Sequence, residues 1–163
     1  MSWPRQSELD SYYGNPRGAD GGPSHRWESL YLVRVNAPWQ LITAWSGELV
    51  SSIRIHRLCA DSLTRILREI WAAAGERPEV IQKWGMHLFA GAYQFRQTRG
   101  ASRLSTHAYG CAVDFDSERN GLGDSSPHFA GIPQVLNAFA REGWVWGGRW
   151  SRPDGMHWQA AVP

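Results

Sequence analysis

The sequence is poor in the features that would place it at once. Cysteine is nearly absent: Cys59 and Cys111 are the two in 163 residues. They form no Cys-x-x-Cys spacing and no disulfide framework, so both read as small buried side chains. No stretch approaches the roughly 18 apolar residues of a membrane span. Charge of one sign is missing too. Seventeen Lys and Arg stand against 15 Asp and Glu, a net charge of +2, which gives little reason to expect a nucleic-acid partner. The first residues, Met-Ser-Trp-Pro-Arg-Gln-Ser-Glu, contain no apolar h-region, so the expectation is synthesis in the cytoplasm without a signal peptide. Internal repeats and low-complexity tracts are also absent.

Tryptophan is abundant instead, with ten residues. Most are expected in the core, where their large area is best used, with Trp146 and Trp150 as candidates for the wall of a groove. A length of 163 residues supports one domain with one useful core.

Turn chemistry at Tyr13–Gly18 and Gly21–Ser24 makes residues 1–28 an N-terminal arm, with a short helix at Ser7–Tyr12. His25 reads there as a solvated surface residue. Residues 29–163 form the domain proper, with 29–60 as a possible strand-rich extension. In that extension Leu30–Val35, Trp39–Trp45 and Leu49–Ile55 read as hairpin strands, and His56 as a surface or edge residue. Leu63, Ile66, Leu67, Ile70 and Trp71 recur at helical spacing and predict a helix over 60–74, stopped by Gly75. Further elements follow: a helix over Pro78–Trp84, a strand over Leu88–Arg96, a strand over Cys111–Asp116, a helix over Ile132–Glu142, a strand over Trp144–Trp150 and a strand over His157–Ala161. The class is α+β, a small and mainly antiparallel sheet flanked by helices.

The chemistry gathers in two stretches. Ser105–Asp116 reads Ser-Thr-His-Ala-Tyr-Gly-Cys-Ala-Val-Asp-Phe-Asp, and Asp154–Trp158 reads Asp-Gly-Met-His-Trp. A hydrolytic zinc site needs three protein ligands and one open position. His107, Asp114 and His157 supply two imidazoles and a carboxylate. Gly110 lets the chain turn between the first two, and Ala108 and Ala112 leave room. Asp154 lies one tight turn before His157, which suits a general acid/base that is not itself a ligand. By alternation Cys111 lies opposite Asp114, and Trp158 points away from the metal. Asp116 and Glu118 either support the site or solvate a loop, and His128 reads as a surface or cap neighbour. The helical signature His-Glu-x-x-His is absent, which excludes the common metalloproteases.

Taken together, Ser105-x-His107-x-x-Gly110-x-Ala112-x-Asp114 and Asp154-x-x-His157-Trp158 resemble the zinc D-alanyl-D-alanine carboxypeptidase family. That family includes the vancomycin-resistance dipeptidases and phage endolysins that cut L-alanyl-D-glutamate bonds. The resemblance implies the hedgehog/D-Ala-D-Ala peptidase fold, a Zn2+ cofactor held by His107, Asp114 and His157, and Asp154 as catalytic acid/base. It also implies an oxyanion-stabilising Arg on the strand before the first motif. The usual Gly-Tyr-Arg is here Ala92-Tyr93-Gln94-Phe95-Arg96, so Arg96 is the first choice and Gln94 the second, with Arg99 and Arg103 still open. Ser105 would orient substrate or ligand shell. The implied substrate is a peptidoglycan stem peptide, cut at L-alanyl-D-glutamate or D-alanyl-D-alanine. The implied setting is a phage or prophage type of lysis enzyme made in the bacterial cytoplasm and acting on the cell wall. A non-catalytic wall- or protein-binding module on the same fold is the alternative.

Overall fold

The computed structural model describes residues 2–98 and 103–163. Its helices are α1 (Leu9–Tyr13), α2 (His25–Tyr31), α3 (Arg57–Ala73), α4 (Pro78–Trp84) and α5 (Pro133–Arg141). Its strands are β1 (Leu32–Val35), β2 (Leu41–Thr43), β3 (Leu49–Val50), β4 (Ile53–His56), β5 (Leu88–Gly91), β6 (Ala112–Phe115), β7 (Val145–Trp146) and β8 (His157–Gln159). Among the described residues β1 pairs with β4, and the other six strands form one sheet in the order β3-β2-β5-β6-β8-β7. The β2–β5 pair is parallel and all the others are antiparallel. The α+β expectation therefore holds. No described helix is long and apolar enough to cross a membrane.

Helix α3 follows its sequence pattern. Leu63, Ile66, Leu67 and Ile70 lie on one face and are fully buried, and that face packs against α5. The helix begins three residues earlier than expected, because His56 caps it: Nδ1 accepts the Leu58 N–H at 3.1 Å. His56 is thus no surface residue. It is 1% exposed, and its Nε2 faces the Tyr13 carbonyl at 2.9 Å. Burial holds its pKa down to about 4, with Arg57 nearby acting in the same direction and the Tyr13 bond against it. An edge strand and a helix cap carry the same Ile-Arg-Ile-His alternation, so the pattern alone does not separate them.

Residues 1–28, expected as an arm, supply Trp3, Leu9, Tyr13 and Trp27 as buried side chains. The Trp3 indole donates to the Glu142 carbonyl at 2.8 Å, and the Tyr13 hydroxyl to that of Ala160 at 2.7 Å. Residues 30 and 31, expected in a strand, close α2 instead. Ser24 starts that helix by accepting the Trp27 N–H at 3.1 Å, an N-cap. His25 is exposed, as expected.

The sheet is held from behind by aromatics. Trp158 is fully buried, stacked on Phe139 at 4.4 Å and set edge-on to Phe129 at 4.9 Å. Truncating such a side chain costs about 3–5 kcal/mol. Since Trp158 faces this core, its neighbours His157 and Gln159 face the other side of β8, where the chemistry lies.

Candidate metal centre

Three elements bring the site together. His107 lies in a 3-10 turn, Thr106–Tyr109, just before β6. Ser105 caps that turn, its Oγ accepting the His107 N–H at 3.2 Å. Gly110 ends it at φ 65°, and a Cβ there would lie 2.9 Å from the His56 backbone nitrogen. The position thus needs glycine for both conformation and space. Asp114 sits on β6 directly across from His157 on β8.

His107, Asp114 and His157 each offer a ligand atom, and those atoms lie within 4.8 Å of one another. Asp114 Oδ1 is 3.2 Å from His107 Nε2 and 2.9 Å from His157 Nδ1. The outward nitrogens decide what these contacts are. His107 Nδ1 is 2.7 Å from the Ala92 carbonyl, and His157 Nε2 is 2.9 Å from Gln159 Oε1. Both partners can only accept, so both outward nitrogens carry the protons. Neutral rings then turn bare lone pairs inward, and His107 Nε2 is a buried atom with no hydrogen-bond partner. Two lone pairs and a carboxylate converge on one point in a buried setting. A single divalent cation satisfies all three, and a two-imidazole, one-carboxylate set suits zinc.

Without an ion the three groups are strongly coupled to one another. Burial alone would raise the Asp114 pKa, but the two imidazoles hold it well below the usual carboxylate range. Burial lowers the His157 pKa, and its bond to Asp114 outweighs this and raises it. Asp154 behaves oppositely to Asp114. Burial and the Asp114 charge raise its pKa, against the pull of His157, His107 and Arg96. Its Oδ1 is buried without a donor. The tight turn expected here is present, the His157 N–H donating to the Asp154 carbonyl at 3.1 Å.

Two cavities meet at this point. The larger, about 670 Å³, is lined by Asp154, His157, Trp150, Arg152 and Arg103 among others. The smaller, about 400 Å³, runs past Gly91, Tyr93 and Gln94 to Trp45. Arg96, His107 and Asp114 line both.

Residues 99–160 match the family model described as D-alanyl-D-alanine carboxypeptidase. The match covers less than half of the chain, and the site-bearing segment is similar to that family. Its members are zinc peptidases, and all four residues singled out above lie inside the match. No curated protein and no solved structure matches the chain.

Several expectations around the site change. The strand predicted over 88–96 ends at Gly91, after a register shift between Phe89 and Gly91. Gln94 and Arg96 therefore do not share a strand face. Arg96 is half-buried in the groove, whereas Gln94 is exposed and its backbone N–H donates to the His107 carbonyl. Arg103 lines the larger cavity, and Arg99 lies outside the described residues. Asp116 turns away at φ 47° and pairs with Arg119 at 2.7 Å, outside the metal group. Trp150 does form a groove wall, but Trp146 is committed to the Gly155 carbonyl at 2.8 Å and to Trp158. Burial pushes the Cys59 thiol up to about 12 and Cys111 well above its usual value, so neither is a nucleophile at neutral pH. The residues whose part went unread in the sequence are Thr106 and Gln159. The signal for Gln159 was its alternation with His157.

Proposed function

We propose that the protein is a zinc peptidase that cuts peptidoglycan stem peptides inside the chain, with the L-alanyl-D-glutamate bond as the favoured cut. The observation that carries the zinc assignment is the convergence of the three inward ligand atoms beside the donor-less carboxylate of Asp154. His107, Asp114 and His157 would hold the ion. The chemistry zinc supplies when bound is Lewis-acid activation of water and of the scissile carbonyl. Asp154 takes the proton from the attacking water and delivers it to the leaving amine. Its raised pKa suits that exchange better than an ordinary carboxylate would. Arg96, which lines both cavities, would supply a cation to the charge that develops on the carbonyl oxygen. Ser105 keeps His107 in place through the capped turn, and Trp150 closes one wall.

The cut inside a chain is favoured because the ligand group lies where two cavities join. A peptide can continue past it on both sides. An enzyme that removes a terminal residue needs one side closed. The competing reading, a zinc-containing binding module, has no use for an unpaired carboxylate beside the metal.

Digestion of purified peptidoglycan, with and without chelator, tests the proposal. The expected products carry new N-terminal glutamate. Free alanine as the main product would move the cut to the D-alanyl-D-alanine bond. Absence of zinc-dependent cleavage would sink the peptidase reading for the cell wall altogether.

A further inference from the structure

Gln159 is buried at 1% exposure on the metal-facing side of β8. Its side-chain amide has one orientation that satisfies its surroundings. The NH2 donates to the Ala161 carbonyl at 3.1 Å, and that carbonyl can only accept. Oε1 therefore faces the opposite way, 2.9 Å from His157 Nε2 and 3.3 Å from the Thr106 hydroxyl, which donates to it. A flipped amide would set two oxygens against each other at Ala161 and leave the Thr106 donor without its acceptor. In a buried setting each such mismatch leaves a polar group unpaired with no water to replace its partner.

The fixed amide dictates the state of the imidazole. An amide oxygen accepts and never donates, so in the neutral ring the proton must sit on Nε2. Nδ1 is then bare and stands 2.9 Å from Asp114 Oδ1. The acceptor on which the orientation depends is itself held. Val162, next to Ala161, exchanges backbone hydrogen bonds with the N-terminal segment: Gln6 N–H to Val162 O and Val162 N–H to Pro4 O, both at 2.8 Å.

We propose that Gln159 is a positioning residue that sets the tautomer of His157 and turns Nδ1, rather than Nε2, toward the metal. The inference rests on the zinc peptidase reading. The chain of contacts runs from the N-terminal segment through Ala161 and Gln159 to His157, so residues far from the matched motifs bear on the metal group.

The test uses the full chain with 15N-labelled histidine. In the zinc-loaded wild type, the His157 Nε2 signal is expected to carry a hydrogen-bonded proton and Nδ1 to carry the metal shift. A proton on Nδ1 with metal on Nε2 overturns the inference and leaves the zinc peptidase reading intact. A wild type that binds no zinc at this group, or whose zinc affinity is unchanged in His107→Ala, overturns both. As a second measurement, Gln159→Met removes donor and acceptor at similar volume. Its zinc dissociation constant, read by competition with a chromogenic chelator, is expected to rise about 10–100-fold, while circular dichroism of the metal-free protein matches the wild type. An unchanged constant overturns the inference. If Gln159→Met fails to fold, the wild-type spectrum decides alone.

Discussion

Asp154 holds a buried carboxylate oxygen with no donor, close to groups that satisfy one another once a cation is present. Replacing it by Asn keeps the shape and removes the base. Hydrolysis of a synthetic stem peptide should fall about 10²–10⁴-fold, with zinc content unchanged by metal analysis. Zinc lost in parallel with activity would make Asp154 a ligand instead. Arg96 and Gln94 separate just as clearly. Arg96→Ala should lower kcat about 10–10³-fold, the range for losing a transition-state donor. Gln94→Ala should change it less than about threefold, since that side chain is exposed and only its backbone is committed. Kinetics on one peptide compare the two. At this scale strand alternation and one turn made it legible that His107, Asp114, His157 and Asp154 could meet, and the motif resemblance supplied the roles that their spacing alone left weak. Arg96 was less legible, because Tyr93-Gln94-Phe95 keeps reading as a strand after Gly91 has ended it.

Among the elements, α3 is tied to pH through its cap. His56 accepts from Leu58 only while Nδ1 is unprotonated. Its folded pKa is lowered from 6.5 to about 4, so between these values the unfolded chain binds a proton that the folded one refuses. Its stability is therefore full above pH 6.5 and declines as pH falls toward 4, by on the order of 3 kcal/mol. Urea unfolding at pH 7.5 and pH 5 should show the decline, and His56→Asn, which keeps a cap acceptor, should flatten it. An equally steep decline in that variant would place the titrating group elsewhere. Helices α3, α4 and α5 were legible because their apolar spacing and their Pro and Gly boundaries act locally. The two sheets were not, since the pairing of β1 with β4 and of β2 with β5 depends on contacts between distant parts of the chain. Helix α2 was hidden by β-forming Leu30 and Tyr31, though Ser24 marked its start.

At the level of the whole molecule, metal binding and folding are linked. The ligand group draws on β6, β8 and the turn before β6, so an ion binding only the folded chain adds about 2.7 kcal/mol at a hundredfold excess over its dissociation constant. For a protein of this size that corresponds to roughly 5–10 °C in Tm. Thermal scans with zinc and with chelator should differ by about that amount, and coincident scans would mean that the group holds no ion in solution. The N-terminal residues were the least legible part of the molecule. Their turn-rich composition hides a few large side chains, Trp3, Leu9 and Tyr13, that fill gaps left by the rest of the chain.

The backbone bonds between Pro4–Gln6 and Val162 bring the first and last described residues side by side. The segment from Pro4 to Val162 thus nearly closes on itself. A short linker joining the two ends, with new ends opened at the exposed turn around Gly47, should give a circular permutant with the same sheet order. Pro163 lies on the rim of the larger cavity, so a tag fused directly after it would start there. A run of histidines there would compete for any ion offered to His107, Asp114 and His157.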